Sequence, residues 1–144
     1  MENINEKYYK LRFNQNGDER GHLVVIEGNL DIPFEIKRVF YIYGSDADVI
    51  RGQHANRKTE FVLINVSGTS KIRVDDGYSQ EVVDLSEPHT GIYLSTMIWK
   101  DMYDFSKDSV LLVLASEYYD PSEYIRDYDA FLNEVRAMAN CEIA

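Results

Sequence analysis

The stretch Glu60-Phe-Val-Leu-Ile-Asn-Val-Ser-Gly-Thr-Ser-Lys-Ile-Arg-Val-Asp-Asp-Gly77 decides the fold class of this chain. Two runs rich in valine and isoleucine, Glu60–Val66 and Lys71–Val74, flank the turn sequence Ser67-Gly-Thr-Ser70, and Asp75-Asp-Gly77 is a second strong turn signal. Branched residues favour strands, whereas glycine and small polar residues favour tight turns. The stretch therefore predicts a β-hairpin followed by a turn into a further strand.

The same pattern continues on both sides of this stretch. Further strand-like runs are Tyr8–Phe13, His22–Glu27, Ile36–Tyr43, Glu81–Leu85, Gly91–Leu94, Ile98–Asp104 and Val110–Ala115. Short, evenly spaced strands without intervening helices predict an all-β sandwich or barrel. No linker, repeat or low-complexity segment interrupts the chain, so residues 1–144 are predicted to form one domain.

The C-terminal part has a different period. Asp120-Pro-Ser-Glu123 places a capping carboxylate before a proline at the first helical position. Apolar residues then recur every three or four positions, which predicts an amphipathic helix over roughly 121–139. Its apolar stripe is expected to cover the barrel or to form a dimer contact.

Composition excludes several classes of partner. The net charge of −10 argues against a nucleic-acid binder or a binder of anionic membranes, because both need a field of the opposite sign. An anionic ligand can still be met by a local cluster of arginine and lysine. The single cysteine, Cys141, cannot by itself form an internal disulfide or a thiolate metal site, and from the sequence we expect neither a leader sequence nor a membrane span. A cytoplasmic location is therefore expected.

The segment from Val49 to Glu60 contains the most informative polar residues. In an extended strand His54 and Asn56 point to one face and Ala55 to the other. His54 alone is equally well explained as a hydrogen-bonded core histidine. The preceding Arg51-Gly52 pair places a guanidinium beside a residue without a side chain, which favours the close approach of an anionic ligand. We therefore predict a site centred on His54.

Two other positions are candidates for contacts with a ligand. Tyr41 and Tyr43 share one face of a predicted inner strand, where a tyrosine can donate a proton to a substrate oxygen, although a packing role has comparable weight. Lys100 follows Trp99 on a strand and would need an anionic partner inside a barrel. It is expected either to face solvent or to contact a substrate oxygen or phosphate.

Several segments together carry a resemblance to a known family: Asp18–Glu27, Ile32–Tyr43, Arg51–Asn56, Val74–Gly77, Gly91–Tyr93, Met102–Ser106, Val113–Asp120 and Tyr124–Tyr128. They cover nearly the whole chain in order, and they resemble the dTDP-4-keto-6-deoxyhexose 3,4-ketoisomerases. The resemblance implies a cupin, or double-stranded β-helix (jelly-roll) barrel, with a C-terminal α-helix. It also implies a homodimer without a cofactor that acts on a dTDP-linked keto-sugar. The product would serve the synthesis of 3-amino sugars of O-antigen, S-layer or other glycans.

This chain departs from the family pattern at two positions. The family usually has Arg-Gly-x-His-Ala-His, where this chain has Asn56, and Trp-His, where it has Lys100. Cupin metal sites use two histidines and a carboxylate of one strand with a third histidine from a later strand. His54 and Glu60 could supply two ligands, but an amide is a poor ligand and an ammonium group repels a cation. We therefore predict that no metal is bound.

The expected chemistry needs few groups. Moving a carbonyl from C4 to C3 requires removal of the C3 proton, stabilisation of an enediol(ate) and return of a proton to C4, and one imidazole can make both carbon transfers. We predict His54 as the base and Tyr43 as an acid. The predicted substrate contacts are Arg51, Asn56, Lys100 and Tyr41.

Two other functions fit the same residues. The first is a dTDP-sugar epimerase, since the related 3,5-epimerases carry Arg-Gly-x-His-x-Gln and use that histidine as base. The second is a non-catalytic sugar-nucleotide-binding cupin, which the retention of His54 in its Arg-Gly-x-His frame disfavours.

Overall fold

The structure is a computed structural model that describes residues 6–143, except the side chains of 141–143. The expectations about a leader and about the thiol concern residues 1–5 and the Cys141 side chain. Both lie outside the described residues. The described strands are β1 (Tyr8–Arg12), β2 (Gln15–Asp18), β3 (Gly21–Val24), β4 (Arg38–Tyr43), β5 (Arg51–Asn56), β6 (Phe61–Ser67), β7 (Ser70–Asp75), β8 (Gln80–Leu85), β9 (Thr90–Leu94), β10 (Trp99–Tyr103), β11 (Val110–Ala115) and β12 (Tyr124–Ile125). The helix α1 (Tyr128–Ile143) ends the described chain.

Two antiparallel five-stranded sheets form the barrel. The spatial order is β1-β9-β6-β11-β4 in the first sheet and β12-β5-β10-β7-β8 in the second, with β2 and β3 as a separate hairpin. The all-β prediction with a C-terminal helix is confirmed, and the paired sheets have the arrangement of a jelly roll.

The main core lies between the two sheets. Apolar side chains from the inner faces of both sheets pack there, including Phe61, Leu63, Ile72, Val74, Ile92 and Leu111. A second cluster covers the outer face of the first sheet, where Phe34 and Ile32 pack on Ile64. In a third cluster Phe131 and Val135 of α1 pack with Ala55 and Trp99 of the second sheet. The helix stripe is therefore a cover for the barrel.

The predicted hairpin over residues 60–74 is wrong. Strands β6 and β7 belong to different sheets, and residues 67–70 form the corner between them. Gly68 has a φ of +64°, which favours glycine, and Asn65 donates a hydrogen bond from Nδ2 to Oγ of Ser109 at 2.8 Å. Residues 61–65 of β6 are buried on both faces, as expected for a strand between two neighbours. The next turn, at Asp75-Asp-Gly77, does form the predicted hairpin between β7 and β8.

The helix begins later than predicted. Asp120 acts as a cap, accepting a hydrogen bond from the Ser122 amide, but it caps a 3₁₀ turn, Pro121–Glu123. The chain then extends into β12, which pairs with β5, before α1 begins at Tyr128. Within the described residues no helix is long and apolar enough to cross a bilayer. The segment that predicted one helix instead holds a turn, a strand and a shorter helical stretch.

Candidate active site

A cavity of about 230 Å³ opens between the two sheets. Its walls are apolar, formed by Phe40, Ile42, Phe61, Leu63, Met102 and Val113. Its polar lining groups include Arg51, His54, Lys100 and Tyr124. An apolar cleft with a few convergent polar groups is the usual form of a small-molecule site. The sequence predictions for His54, Arg51 and Lys100 therefore converge on one place.

His54 lies on β5, half-buried, opposite Lys100 of β10. Its Nδ1 lies 3.0 Å from the carbonyl oxygen of Gly52. Because a carbonyl only accepts, Nδ1 carries the proton and Nε2 is left as the acceptor. Burial, with the positive charge of Lys100, lowers the pKa of His54 to about 4. The imidazole is thus neutral near pH 7 and able to accept a proton.

Gly52 shapes the strand that holds His54. Gly52 and Gln53 have φ values of +84° and +56°, at an irregularity in the register between β5 and β10. A Cβ on Gly52 would lie 2.9 Å from the carbonyl oxygen of Lys100. The Arg51-Gly52 pair in the sequence predicts that this glycine allows the close approach of a ligand. The structure shows that it admits the neighbouring strand, and the bulge directs His54 into the cavity.

Lys100 is inside the barrel, only 4% exposed. Its Nζ lies 3.2 Å from Oδ1 of Asn56, to which it donates, and 4.3 Å from the centre of the Phe61 ring. Burial lowers the pKa of Lys100 to about 7, Glu123 opposes this shift and Arg38 adds to it. The sequence left open whether this lysine faces solvent or the ligand site. In the structure it lies in the lining of the cavity.

Asn56 connects Lys100 to a buried carboxylate that sequence reasoning missed. Its Nδ2 donates to Oε1 of Glu123 at 3.0 Å, and the same carboxylate accepts from the backbone amides of Lys58 and Thr59, each at 3.2 Å, and from Oγ1 of Thr59 at 2.5 Å. Burial acts to raise the pKa of Glu123, but these hydrogen bonds hold it below its usual value. In the sequence, Glu123 fits the first turn of a helix. Its role as a buried hydrogen-bond acceptor depends on β12, the strand that follows it, and the sequence pattern does not indicate that strand.

Two further residues next to His54 come from the same C-terminal segment. The rings of Tyr124 and His54 have centres 4.8 Å apart. The guanidinium carbon of Arg126 lies 4.8 Å from the centre of the Tyr124 ring, and its charge contributes to the low pKa of His54. The signal for both was present in the segment Tyr124–Tyr128, which carried part of the family resemblance.

Arg38, a half-buried residue of β4, adds a second cation near Lys100. Its Nε and Nη2 atoms are buried and have no hydrogen-bond partner among the residues that the structure describes. The guanidinium carbon lies 5.5 Å from the ring centre of Phe40 and 6.0 Å from that of Phe61, the ring that also contacts Lys100. The region around the cavity therefore holds more positive than negative charge, which suits an anionic ligand or intermediate.

The expected inner position of Tyr41 and Tyr43 is wrong. The alternation along β4 is as predicted, but Phe40 and Ile42 are the residues that pack into the barrel. Tyr41 and Tyr43 are 62% and 70% exposed and stack on each other with ring centres 6.1 Å apart. Tyr41 borders the cavity, whereas Tyr43 is not part of its lining. The structure does not bring the Tyr43 hydroxyl to His54.

Glu60, considered as a metal ligand beside His54, lies elsewhere. Its carboxylate accepts a hydrogen bond from the Tyr93 hydroxyl at 2.5 Å, and it is not part of the cavity lining. Among the side chains described, no group of three or more histidine, cysteine, aspartate or glutamate residues is arranged to hold a metal ion.

Comparison with known proteins agrees with this geometry. The family model described as "FdtA: WxcM-like, C-terminal" matches residues 6–136. The chain belongs to the FdtA family. The matched range includes every element that forms the cavity, from β4 to β12.

Characterised FdtA-family relatives are sugar-nucleotide ketoisomerases. The TDP-4-oxo-6-deoxy-alpha-D-glucose-3,4-oxoisomerase of Aneurinibacillus thermoaerophilus is 45% identical over 121 residues, which are 84% of this chain and 87% of the relative. The structure of the 3,4-ketoisomerase QdtA from Thermoanaerobacterium thermosaccharolyticum, in complex with TDP, is 41% identical, with a TM-score of 0.90 over 94% of this chain and 98% of that one. The TDP-fucose-3,4-ketoisomerase WlaRA from Campylobacter jejuni is 45% identical, with a TM-score of 0.83 over 87% and 93% of the two chains.

The epimerase alternative has weaker support. The 3'-monoepimerase ChmJ from Streptomyces bikiniensis, in complex with dTDP-quinovose, is 18% identical, with a TM-score of 0.71 over 82% of this chain and 68% of that one. This likeness shows a shared fold only. The FdtA family is thus the assignment supported by both sequence and structure.

Proposed function

We propose that this protein is a 3,4-ketoisomerase of TDP-4-keto-6-deoxyglucose, with His54 as the base that moves the proton between C3 and C4. The observation that carries the proposal is a neutral imidazole in an apolar cavity, oriented by the Gly52 carbonyl and surrounded by cations. A variant of the related QdtA was solved with TDP-4-keto-6-deoxyglucose bound.

The cations divide between two tasks in this proposal. Arg51 is exposed at the edge of the cavity, and Arg126 lies next to Tyr124, so both are suited to bind the diphosphate. Lys100, buried deeper and held by Asn56, is suited to a sugar oxygen that becomes negative as the C3 proton leaves. Tyr41 is a candidate contact at the rim.

Proton NMR in deuterated water tests the proposed function. With TDP-4-keto-6-deoxyglucose as substrate, we expect loss of the C3 proton signal and appearance of a 3-keto product. Exchange at C5 instead would identify an epimerase. Binding of TDP without any exchange would identify a non-catalytic cupin.

We also propose that the protein acts as a homodimer of single cupin domains, in the cytoplasm, in a pathway that makes 3-amino sugars for O-antigen, S-layer or other glycans. Support for the dimer comes from the edge strand β4, whose outer face exposes Val39, Tyr41 and Tyr43. Because the α1 stripe is already packed on the barrel, this surface is the better candidate for a two-fold contact.

Catalysis in this proposal needs no metal. Asn56 and Lys100 occupy the positions where further histidine ligands would be needed, and their side chains bind each other. We expect elemental analysis of the purified protein to find no stoichiometric transition metal. About one metal per chain, together with loss of activity on chelation, would contradict this prediction.

A further inference from the structure

The isomerisation needs two kinds of proton transfer, and His54 accounts for one of them. The carbon transfer takes the proton from C3 and returns it to C4. The oxygen transfer must supply a proton to O4, which begins as a ketone, and remove one from O3, which ends as a ketone. The Tyr43 hydroxyl, expected to do this, lies on the outside of the barrel.

Lys100 is the group in the structure that fits the oxygen transfer. It lies opposite His54 in the pairing of β5 with β10, and both line the same cavity. Its Nζ accepts no hydrogen bond as an ammonium group and donates to Asn56 Oδ1, which leaves other N–H bonds for a substrate. Asn56 cannot turn its amide, because its Nδ2 is bound to Glu123. The Lys100 head group is therefore held in place by a fixed acceptor.

We propose that Lys100 moves the proton between the two sugar oxygens, acting as acid toward O4 and then as base toward O3. This inference rests on the proposed ketoisomerase function. In the first half, His54 takes the C3 proton while the Lys100 ammonium gives a proton to O4, and the product is the enediol. In the second half, the neutral Lys100 amine takes the O3 proton while the His54 imidazolium protonates C4. Both residues return to their starting states, so the cycle needs no oxidant, reductant or third proton carrier.

The surroundings of Lys100 make both halves accessible. The titratable and charged groups that face it are the neutral imidazole of His54 from β5, the guanidinium of Arg38 from β4 and, through Asn56, the carboxylate of Glu123. Burial brings the pKa of this amine to about 7, so that neither the ammonium form nor the neutral form is costly near neutral pH. An ordinary exposed lysine would hold its proton too tightly to act as a base at that pH.

The test compares replacements that separate charge from proton transfer. Lys100→Arg keeps a cation but cannot release a proton, Lys100→Met removes both, and Lys100→His keeps proton transfer. We expect conversion to the 3-keto product to fall about 10²–10⁴-fold in the Met variant. The Arg variant should lose more conversion than C3 exchange, because it still stabilises the enediolate, and the His variant should convert faster than the Arg variant. Lys71→Arg, at a partly exposed lysine of β7 that pairs with Asp84, is the control and should not change either rate.

The pH profile gives an independent readout. The active form has a neutral His54 and a protonated Lys100, so kcat/KM of the wild type should be highest between about pH 4 and 7 and fall above pH 7. Two results would overturn the role of Lys100. One is a Met variant that converts the substrate at the wild-type rate. The other is a folded Arg variant whose kcat/KM falls above pH 7 as it does in the wild type. If the wild type neither converts the substrate nor exchanges its C3 proton, the proposed function itself fails and this inference fails with it.

Discussion

His54 combines a fixed orientation with a low affinity for protons. The Gly52 carbonyl sets the tautomer, and burial beside Lys100 keeps the ring neutral until the pH approaches 4. These two properties make the ring a weak base that is unprotonated, and so able to accept a proton, throughout the neutral pH range. Weak bases abstract protons effectively only when the charge on the product of that step is stabilised, which is why nearby cations matter.

Replacing His54 with Asn should remove proton transfer and leave substrate binding nearly intact. Asparagine keeps polarity but cannot accept a proton near neutral pH, so we expect turnover to fall at least 10²–10⁴-fold. Affinity for TDP, measured by calorimetry, should change far less, because cations and not this ring bind the diphosphate. A variant that melts normally and still exchanges the C3 proton at the wild-type rate would remove His54 from the mechanism.

Lys100 should cost the protein stability. Because its pKa is about 7 in the folded protein and about 10.5 in an unfolded chain, the unfolded state binds more protons between these values. The destabilising effect of Lys100 is therefore largest below pH 7, where the buried amine is charged, and it decreases as the pH rises from 7 to 10.5. We expect Lys100→Met to increase the free energy of unfolding at pH 6 by on the order of 1 kcal/mol.

Urea unfolding of the wild type and of Lys100→Met across pH 6 to 10 checks this expectation. The difference between the two proteins should shrink with increasing pH, because the wild-type lysine becomes neutral. Parallel curves over this range would show that the lysine keeps an ordinary pKa in the folded protein.

At the scale of elements, the irregular strand β5 is the critical feature. Two successive residues with positive φ shift the register so that His54 faces Lys100 while Gly52 lies against its carbonyl oxygen. A regular strand would turn a different set of side chains into the cavity. The bulge therefore sets which residues belong to the site.

Gly52→Ala should be much more damaging than Gly44→Ala. Both glycines have positive φ, +84° and +73°, so both alanines incur a strain of roughly 1–2 kcal/mol. Only at Gly52 would the new Cβ meet backbone, 2.9 Å from the Lys100 oxygen, whereas Gly44 has open space. We expect Gly52→Ala to cost several kcal/mol more in urea unfolding and to lose activity. Equal costs would mean that β5 and β10 can separate freely at this point.

Strand positions were predictable from the sequence, but strand pairing was not. Branched residues and turn signals act over a few residues, so β7, β8 and β11 were found close to their observed bounds. The partners of β6 depend on burial of both its faces, which no local pattern encodes. The corner at Gly68 was mistaken for a hairpin for this reason.

The part of the site that lies on the single strand β5 was predictable from the sequence. The face shared by His54 and Asn56 follows from alternation, and Lys100 was already a candidate. The inner face of β4 could not be chosen, because both of its faces carry large apolar or aromatic residues. Glu123 was missed because a proline-capped acidic turn has the same pattern whether it starts a helix or, as here, places a carboxylate under β5.

At the scale of the molecule, the two outer faces of the barrel are covered differently. The second sheet is covered by α1, and the first by residues 24–36, which leave the outer face of β4 open. An exposed apolar edge strand promotes association with another chain. This is the surface on which the proposed dimer can be tested.

Tyr43→Asp should weaken the proposed dimer. A charge placed in an apolar contact must be desolvated, so we expect light scattering at micromolar concentration to shift from the mass of two chains toward that of one. Tyr78→Asp, at a tyrosine of similar exposure in the turn between β7 and β8, is the control and should not change the mass. A Tyr43→Asp protein that keeps the mass of two chains would place the interface elsewhere.

The bond between Asn56 and Glu123 also has a consequence for the order of events during synthesis. It joins residues 67 positions apart, so the carboxylate that fixes Asn56 leaves the ribosome long after β5 has been made. Contacts of such long range form late because closing the intervening loop costs entropy. A nascent chain that ends before residue 123 would hold most of its strands but lack the anchor of the Lys100 acceptor. Catalytic competence should therefore appear only after residue 123 and the segment that follows it have been made, which a series of C-terminal truncations assayed for C3 exchange would show.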